Sequence, residues 1–148
     1  MKSLLRTLII SSVMVILASC STSSKQQIQS LELTANTASI VASREGAYIL
    51  VVMDIAETFQ NNSYAVIQYQ QLSNPQKYKA FELGSIGESK RITFKSRPDK
   101  IVHSQTPYSV LVRLYDGPTY SQIVAQRSVL IMPNIPSKIA DLMDIELR

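Results

Sequence analysis

Along most of this chain apolar residues recur at every second position, the period of a strand whose two faces meet different surroundings. Arg91-Ile92-Thr93-Phe94-Lys95 alternates cleanly, with Ile92 and Phe94 on one face and three polar residues on the other. Tyr108 to Tyr115 is the strongest run, closed by Asp116-Gly117-Pro118 and continued from Ile123 to Met132, where Pro133-Asn134-Ile135-Pro136 stops it. Ala47 to Ile55 is apolar on both faces, as a central strand would be. Its length also permits a buried helix, but its β-branched and aromatic content favours strand. Ile28–Leu33, Tyr64–Tyr69 and Lys77–Leu83 complete the pattern, and Asn61-Asn62-Ser63 supplies a turn before the second of these. At the end, Met143, Ile145 and Leu147 alternate with Asp144, Glu146 and Arg148, which suggests a last strand. The rival is a short helix from Ser137, because Ile139, Leu142 and Met143 also fit helical spacing. Seven or eight short strands with turns roughly 8–12 residues apart predict an all-β fold, a single antiparallel β-sandwich over residues 28–148.

The first twenty residues break this period. Lys2 and Arg6 precede an apolar stretch, Leu8 to Ala18, which falls short of the roughly 20 residues that a spanning helix needs. Leu17-Ala18-Ser19-Cys20 resembles the lipobox of bacterial lipoproteins. The Cys20 thiol would take the diacylglycerol, and the small residues 18 and 19 would let a signal peptidase cut between Ser19 and Cys20. Cys20 is the only cysteine, so it has no partner within the chain, and acylation accounts for a lone thiol in an exported protein. The expected organisation is a signal peptide over 1–19, a lipidated polar tether over 20–27 and the sandwich beyond. Each buried acyl methylene contributes about 0.8 kcal/mol, so several chains on one residue anchor it firmly to the membrane. Ser21 rather than Asp after the cysteine, by resemblance to sorting rules in enteric-type bacteria, favours the outer membrane and its periplasmic face.

Composition changes little. The chain is 45% hydrophobic and 18% charged, as a globular protein is. Its formal charge of +4 falls to +2 once Lys2 and Arg6 leave, with 13 basic residues against 11 acidic ones. There is no long basic run to favour nucleic acid. The densest cluster, Lys90 to Lys100, reads as a solvated hairpin face, with an acidic partner or anionic headgroups as the alternative.

Candidate chemistry is sparse. His103 is the single histidine and reads as a loop residue, and with one acylated cysteine it cannot build a metal cluster, so neither metal nor cofactor is expected. Asp54 with Glu57 is the only close carboxylate pair near an apolar segment, and nothing selects them as a glycosidase pair. Gly84 and Gly87 bracket Ser85-Ile86 in what reads as a hairpin turn rather than a phosphate loop. Tyr108 and Tyr115 have opposite parity, so at most one is core and the other is free to line a groove. No catalytic residue set emerges, and a non-enzymatic role is expected.

The second half suggests a family. Phe94-Lys95-Ser96-Arg97-Pro98-Asp99-Lys100-Ile101, then Pro107 to Asp116, resembles the small lipoproteins grouped with the YscW-type pilotins of type III secretion. Val129-Leu130-Ile131-Met132-Pro133 and Ala140-Asp141-Leu142 look like the family's closing segments. The resemblance implies a membrane-anchored protein whose groove or sheet edge captures a segment of a secretin-type envelope client. Other readings stay open: a periplasmic accessory factor in envelope glycan or surface-structure assembly, or a housekeeping lipoprotein.

Overall fold

A computed structural model of the chain describes residues 29–30, 38–59 and 63–148. The described elements are β1 (Gln29–Ser30), β2 (Ala38–Ser43), β3 (Gly46–Asp54), a 3-10 turn (Glu57–Phe59), β4 (Tyr64–Gln71), β5 (Asn74–Ser85), β6 (Arg91–Lys95), β7 (Ile101–Val102), β8 (Tyr108–Tyr115), β9 (Ile123–Ile131), α1 (Ser137–Leu142) and β10 (Glu146–Leu147). Sheet A runs β1-β9-β8-β4-β5, sheet B runs β2-β3-β6, and β10 pairs with β7 in a small third sheet. The two larger sheets pack face to face as a β-sandwich.

The period of two explains the packing. Ala65, Ile67 and Tyr69 of β4 and Tyr108, Val110, Val112 and Leu114 of β8 are buried on the inner face of sheet A. Ala47, Ile49, Val51 and Met53 of β3 meet them from sheet B, with Ile92 and Phe94 of β6. Removing an aliphatic or aromatic side chain of this size from water stabilises by about 1.5–3 kcal/mol. The opposite positions of β3 (Tyr48, Leu50 and Val52) are half-buried, which is why the strand reads as apolar on both faces.

The structure departs from the sequence expectations at several points. Sequence pattern gave no strand at Ala38–Ser43, yet this segment is β2, pairing with all of β3 from Gly46 to Val51. Ala38, Ile40 and Ala42 pack against the core, but two alanines make the alternation faint. The core pairings are antiparallel, whereas the two short ones, β1 with β9 and β10 with β7, are parallel. Both rivals at the end of the chain are present, a helix over Ser137–Leu142 followed by a strand of two residues. Met143 caps the helix instead of starting the strand. Gly84 and Gly87 do not make a hairpin, because β5 belongs to sheet A and β6 to sheet B. Gly84, at φ +74°, follows a bulge where Ala65 faces Gly84 and Val66 faces Glu82, and the chain then crosses between sheets. Residues 1–28, with Ser19 and Cys20, lie outside the described residues, as do most of the first expected strand and Asn61-Asn62.

Candidate functional site: a cleft between two sheet edges

Among the described residues sheet A has five strands and sheet B three, so the larger sheet overhangs. The overhang falls at β5, the edge of sheet A, beside β6, the edge of sheet B. In the β4–β5 ladder Phe81 lies opposite Ile67, and Lys79 lies opposite Tyr69. Ile67 and Tyr69 point inward, and so does this side of β5. With no fourth strand of sheet B beneath them among the described residues, Phe81 and Leu83 stay 37% and 36% exposed. Phe81 leans across the gap: its ring centroid is 5.6 Å from Phe94 and 6.0 Å from Tyr69, and Tyr69 is 5.3 Å from Phe94. Three rings at these separations form a contiguous aromatic cluster.

At the end of this cluster lies a cavity of about 170 Å³, lined by Tyr69, Gln71, Leu72, Lys79 and the segment Ser96-Arg97-Pro98-Asp99. One wall is the β4–β5 turn and the other is the segment leaving β6. Backbone hydrogen bonds hold that second wall against β3. Ser96 N donates to Ile49 O at 2.9 Å, and the Ser96 hydroxyl accepts from Ile49 N at 2.9 Å while donating to Arg97 O at 3.0 Å. Three residues on, Ala47 N donates to Asp99 O at 2.8 Å and Asp99 N to Ala47 O at 2.7 Å. This pairing needs Gly46, at φ +129°, because a Cβ there would stand 2.6 Å from the Asp99 carbonyl oxygen.

Asp99 joins the two walls. Its Oδ2 accepts from Ser73 N at 3.2 Å, in the β4–β5 turn, and its Oδ1 accepts from Ile101 N at 3.2 Å. Beneath the same turn the buried Tyr108 hydroxyl donates to Leu72 O at 2.9 Å and accepts from His103 N at 2.9 Å. Tyr108 is therefore the core member of the tyrosine pair, and its polar tip is satisfied at both lone-pair and proton. Tyr115 faces away from the cleft and packs edge-on against Tyr120, with centroids 5.4 Å apart.

Charge in the cleft is mostly positive. Lys79 and Arg97 are exposed, and neither takes part in an ion pair among the described residues, where Arg91–Asp54, Lys100–Asp144 and Arg148–Glu146 are the pairs formed. Burial pushes the Tyr69 hydroxyl above its ordinary pKa, the nearby Arg97 guanidinium works against this, and Asp99 adds to it. The Tyr69 hydroxyl is thus neutral at physiological pH and available as a proton donor. The backbone N–H groups of Ser73, Ser96, Asp99 and Ile101 are engaged within the fold, so Lys79, Arg97 and the Tyr69 hydroxyl are the donors this cavity offers an anionic oxygen.

The other sequence candidates lie elsewhere. The His103 backbone holds Tyr108, and among the described residues no cluster of three His, Cys, Asp or Glu could hold a metal. Asp54 is held by Arg91 at 2.6 Å on sheet B, and Glu57 is exposed on the 3-10 turn, so neither lines the cleft. The Lys90–Lys100 cluster is not one hairpin face. Lys95 sits 4.1 Å over the Tyr48 ring, Lys100 donates to the Arg44 and Met143 carbonyls, and Arg97 enters the cleft. Sequence reading missed the cleft because it joins Lys79 to Arg97 through two different sheets. The signal that could have found it was a strand, Lys77–Leu83, with apolar residues on the side that also carries a lysine. No helix of the described residues is long and apolar enough to cross a membrane. No protein-family model and no curated protein matches this chain.

Proposed function

We propose that this protein is a lipid-anchored adaptor of the outer membrane whose periplasmic β-sandwich binds a segment of an envelope protein. One observation carries the binding half: among the described residues, edge strand β5 leaves Phe81 on its inward side and Leu83 at its bulge partly exposed beside a preformed cleft. Two neighbouring strand edges with apolar side chains between them suit an extended polypeptide, which can add main-chain hydrogen bonds to an edge and side chains to the gap. The anchoring half rests on Leu17-Ala18-Ser19-Cys20 and on the single cysteine. Acylation of Cys20 would hold the client at the bilayer and raise its local concentration there. The resemblance to YscW-like pilotins makes a secretin segment the first client to test. Binding rather than catalysis is favoured by how the acids near the sandwich are used, since Asp54 and Asp99 both serve structural bonds.

The test is a pull-down of the tagged, full-length protein from detergent-solubilised outer membrane, with Cys20→Ala as control. Specific recovery of an envelope protein by the acylated form, reduced by Phe81→Ser, supports the reading. Recovery of nothing above the control refutes it. Mass spectrometry of the native protein decides the anchor separately, since an unmodified thiol at Cys20 removes it.

A further inference from the structure

We infer that the cleft between β5 and β6 is a carboxylate-binding site, and that it takes an extended polypeptide segment in which a large apolar side chain stands next to a carboxylate. This rests on the adaptor reading and specifies the chemistry of the client.

The apolar half of the site is the row on β5. Phe81 faces inward, opposite Ile67, and packs on Phe94 at the edge of sheet B, and Leu83 follows it at the bulge, also exposed. A large apolar side chain seated on these rings would restore the cover that a fourth strand of sheet B would have given. The polar half lies at the end of that row. Lys79 stands opposite Tyr69 in the ladder, and Arg97 projects from the loop held on β3. Both cations lack an ion pair among the described residues, while the buried Tyr69 keeps its proton to donate. The competing anion is Asp99, but each of its oxygens already accepts a backbone N–H. Two unpaired cations outnumber one engaged carboxylate, so an incoming carboxylate is attracted and can take charge-assisted hydrogen bonds.

Size selects the class of ligand. About 170 Å³ is well under the roughly 300–1,000 Å³ of pockets that enclose a whole small molecule. It suits the end of one residue, with the rest of the chain lying along the open edges. The carboxylate can be a C-terminus or an acidic side chain, and the chemistry at Lys79 and Arg97 is shared.

Fluorescence anisotropy on the detergent-solubilised full chain tests this with three labelled octapeptides of alternating threonine and valine ending in phenylalanine. One has a free C-terminal carboxylate, one is amidated, and one is amidated with glutamate before the phenylalanine. At least one carboxylate peptide is expected to bind about tenfold more tightly than the neutral amide, and the tighter of the two names the source. Lys79→Gln with Arg97→Gln should abolish that preference without changing thermal unfolding, because both side chains are exposed, and Lys79→Arg with Arg97→Lys should retain it. Equal binding of all three peptides, binding of none, or a preference that survives the double glutamine substitution overturns the carboxylate site. The adaptor reading fails on a different result, the absence of any client recovered by the unsubstituted tethered protein.

Discussion

Replacing Gly46 with alanine should be among the most damaging single-methyl changes in this molecule, and its cost can be assembled from two sources. The first is backbone strain. At φ +129° an L-residue is held where only glycine is comfortable, at about 1–3 kcal/mol. The second is contact. The new Cβ would stand 2.6 Å from the Asp99 oxygen and 2.8 Å from its carbonyl carbon, and backbone cannot swing aside as a side-chain tip can. The loop must retreat, giving up the paired Ala47–Asp99 hydrogen bonds at about 0.5–1.5 kcal/mol each. Together these come to about 2–6 kcal/mol, a large share of the roughly 5–15 kcal/mol that holds a domain folded. Two other glycines separate the terms. Gly84→Ala meets nothing within 4 Å but keeps a strained φ of +74°, so it should lose about 1 kcal/mol. Gly117→Ala meets nothing within 4 Å and has no positive φ, so it should stay within about 0.5 kcal/mol of the parent. Urea unfolding followed by circular dichroism measures all three. If Gly46→Ala loses no more stability than Gly84→Ala, the close approach of Asp99 is not what makes this position glycine.

Two further outcomes are expected. Tyr108→Phe keeps the ring but strands the Leu72 carbonyl and the His103 N–H, and should destabilise by about 1–3 kcal/mol in the same assay; a neutral result would mean that water replaces the hydroxyl. Desolvation raises the pKa of Tyr69, Tyr108 and Tyr120 above the ordinary 10.0, so the folded state holds three protons that the unfolded state releases first. Their contribution is complete below pH about 10 and is lost as pH rises through the folded values, so stability should fall in that alkaline range. A titration of tyrosinate absorbance should show a late phase, and Arg97→Gln should delay it further by removing the cation that favours ionised Tyr69; an unchanged late phase would place Arg97 away from that hydroxyl.

The strands that alternate in sequence were readable because one face of each is buried: β4, β6 and β8 all show it. β2 was not, since Ala38 and Ala42 carry too little apolar surface to mark an inward face, and its position is fixed instead by pairing with β3. The end of the chain looked ambiguous because both periods are present, one after the other. The cleft was the least legible part. Lys79 sits on an edge strand and Arg97 on a loop from the other sheet, and only the uneven width of the sheets brings them to one opening. Arg97-Pro98-Asp99 fell within the cluster read as a solvated hairpin face, with no hint that the Asp99 carboxylate reaches back to Ser73.

That reach also bears on how the cleft can change over evolutionary time. Asp99 is bonded through its main chain to β3 and through its carboxylate to the β4–β5 turn, so its loop cannot be lengthened or redrawn without loosening the sandwich itself. The solvent-facing ends of Lys79 and Arg97 carry no such obligation. Under the binding proposed for this cleft, new partner preferences would therefore be acquired by exchanging those two side chains on a fixed frame, leaving the path of the backbone as inherited.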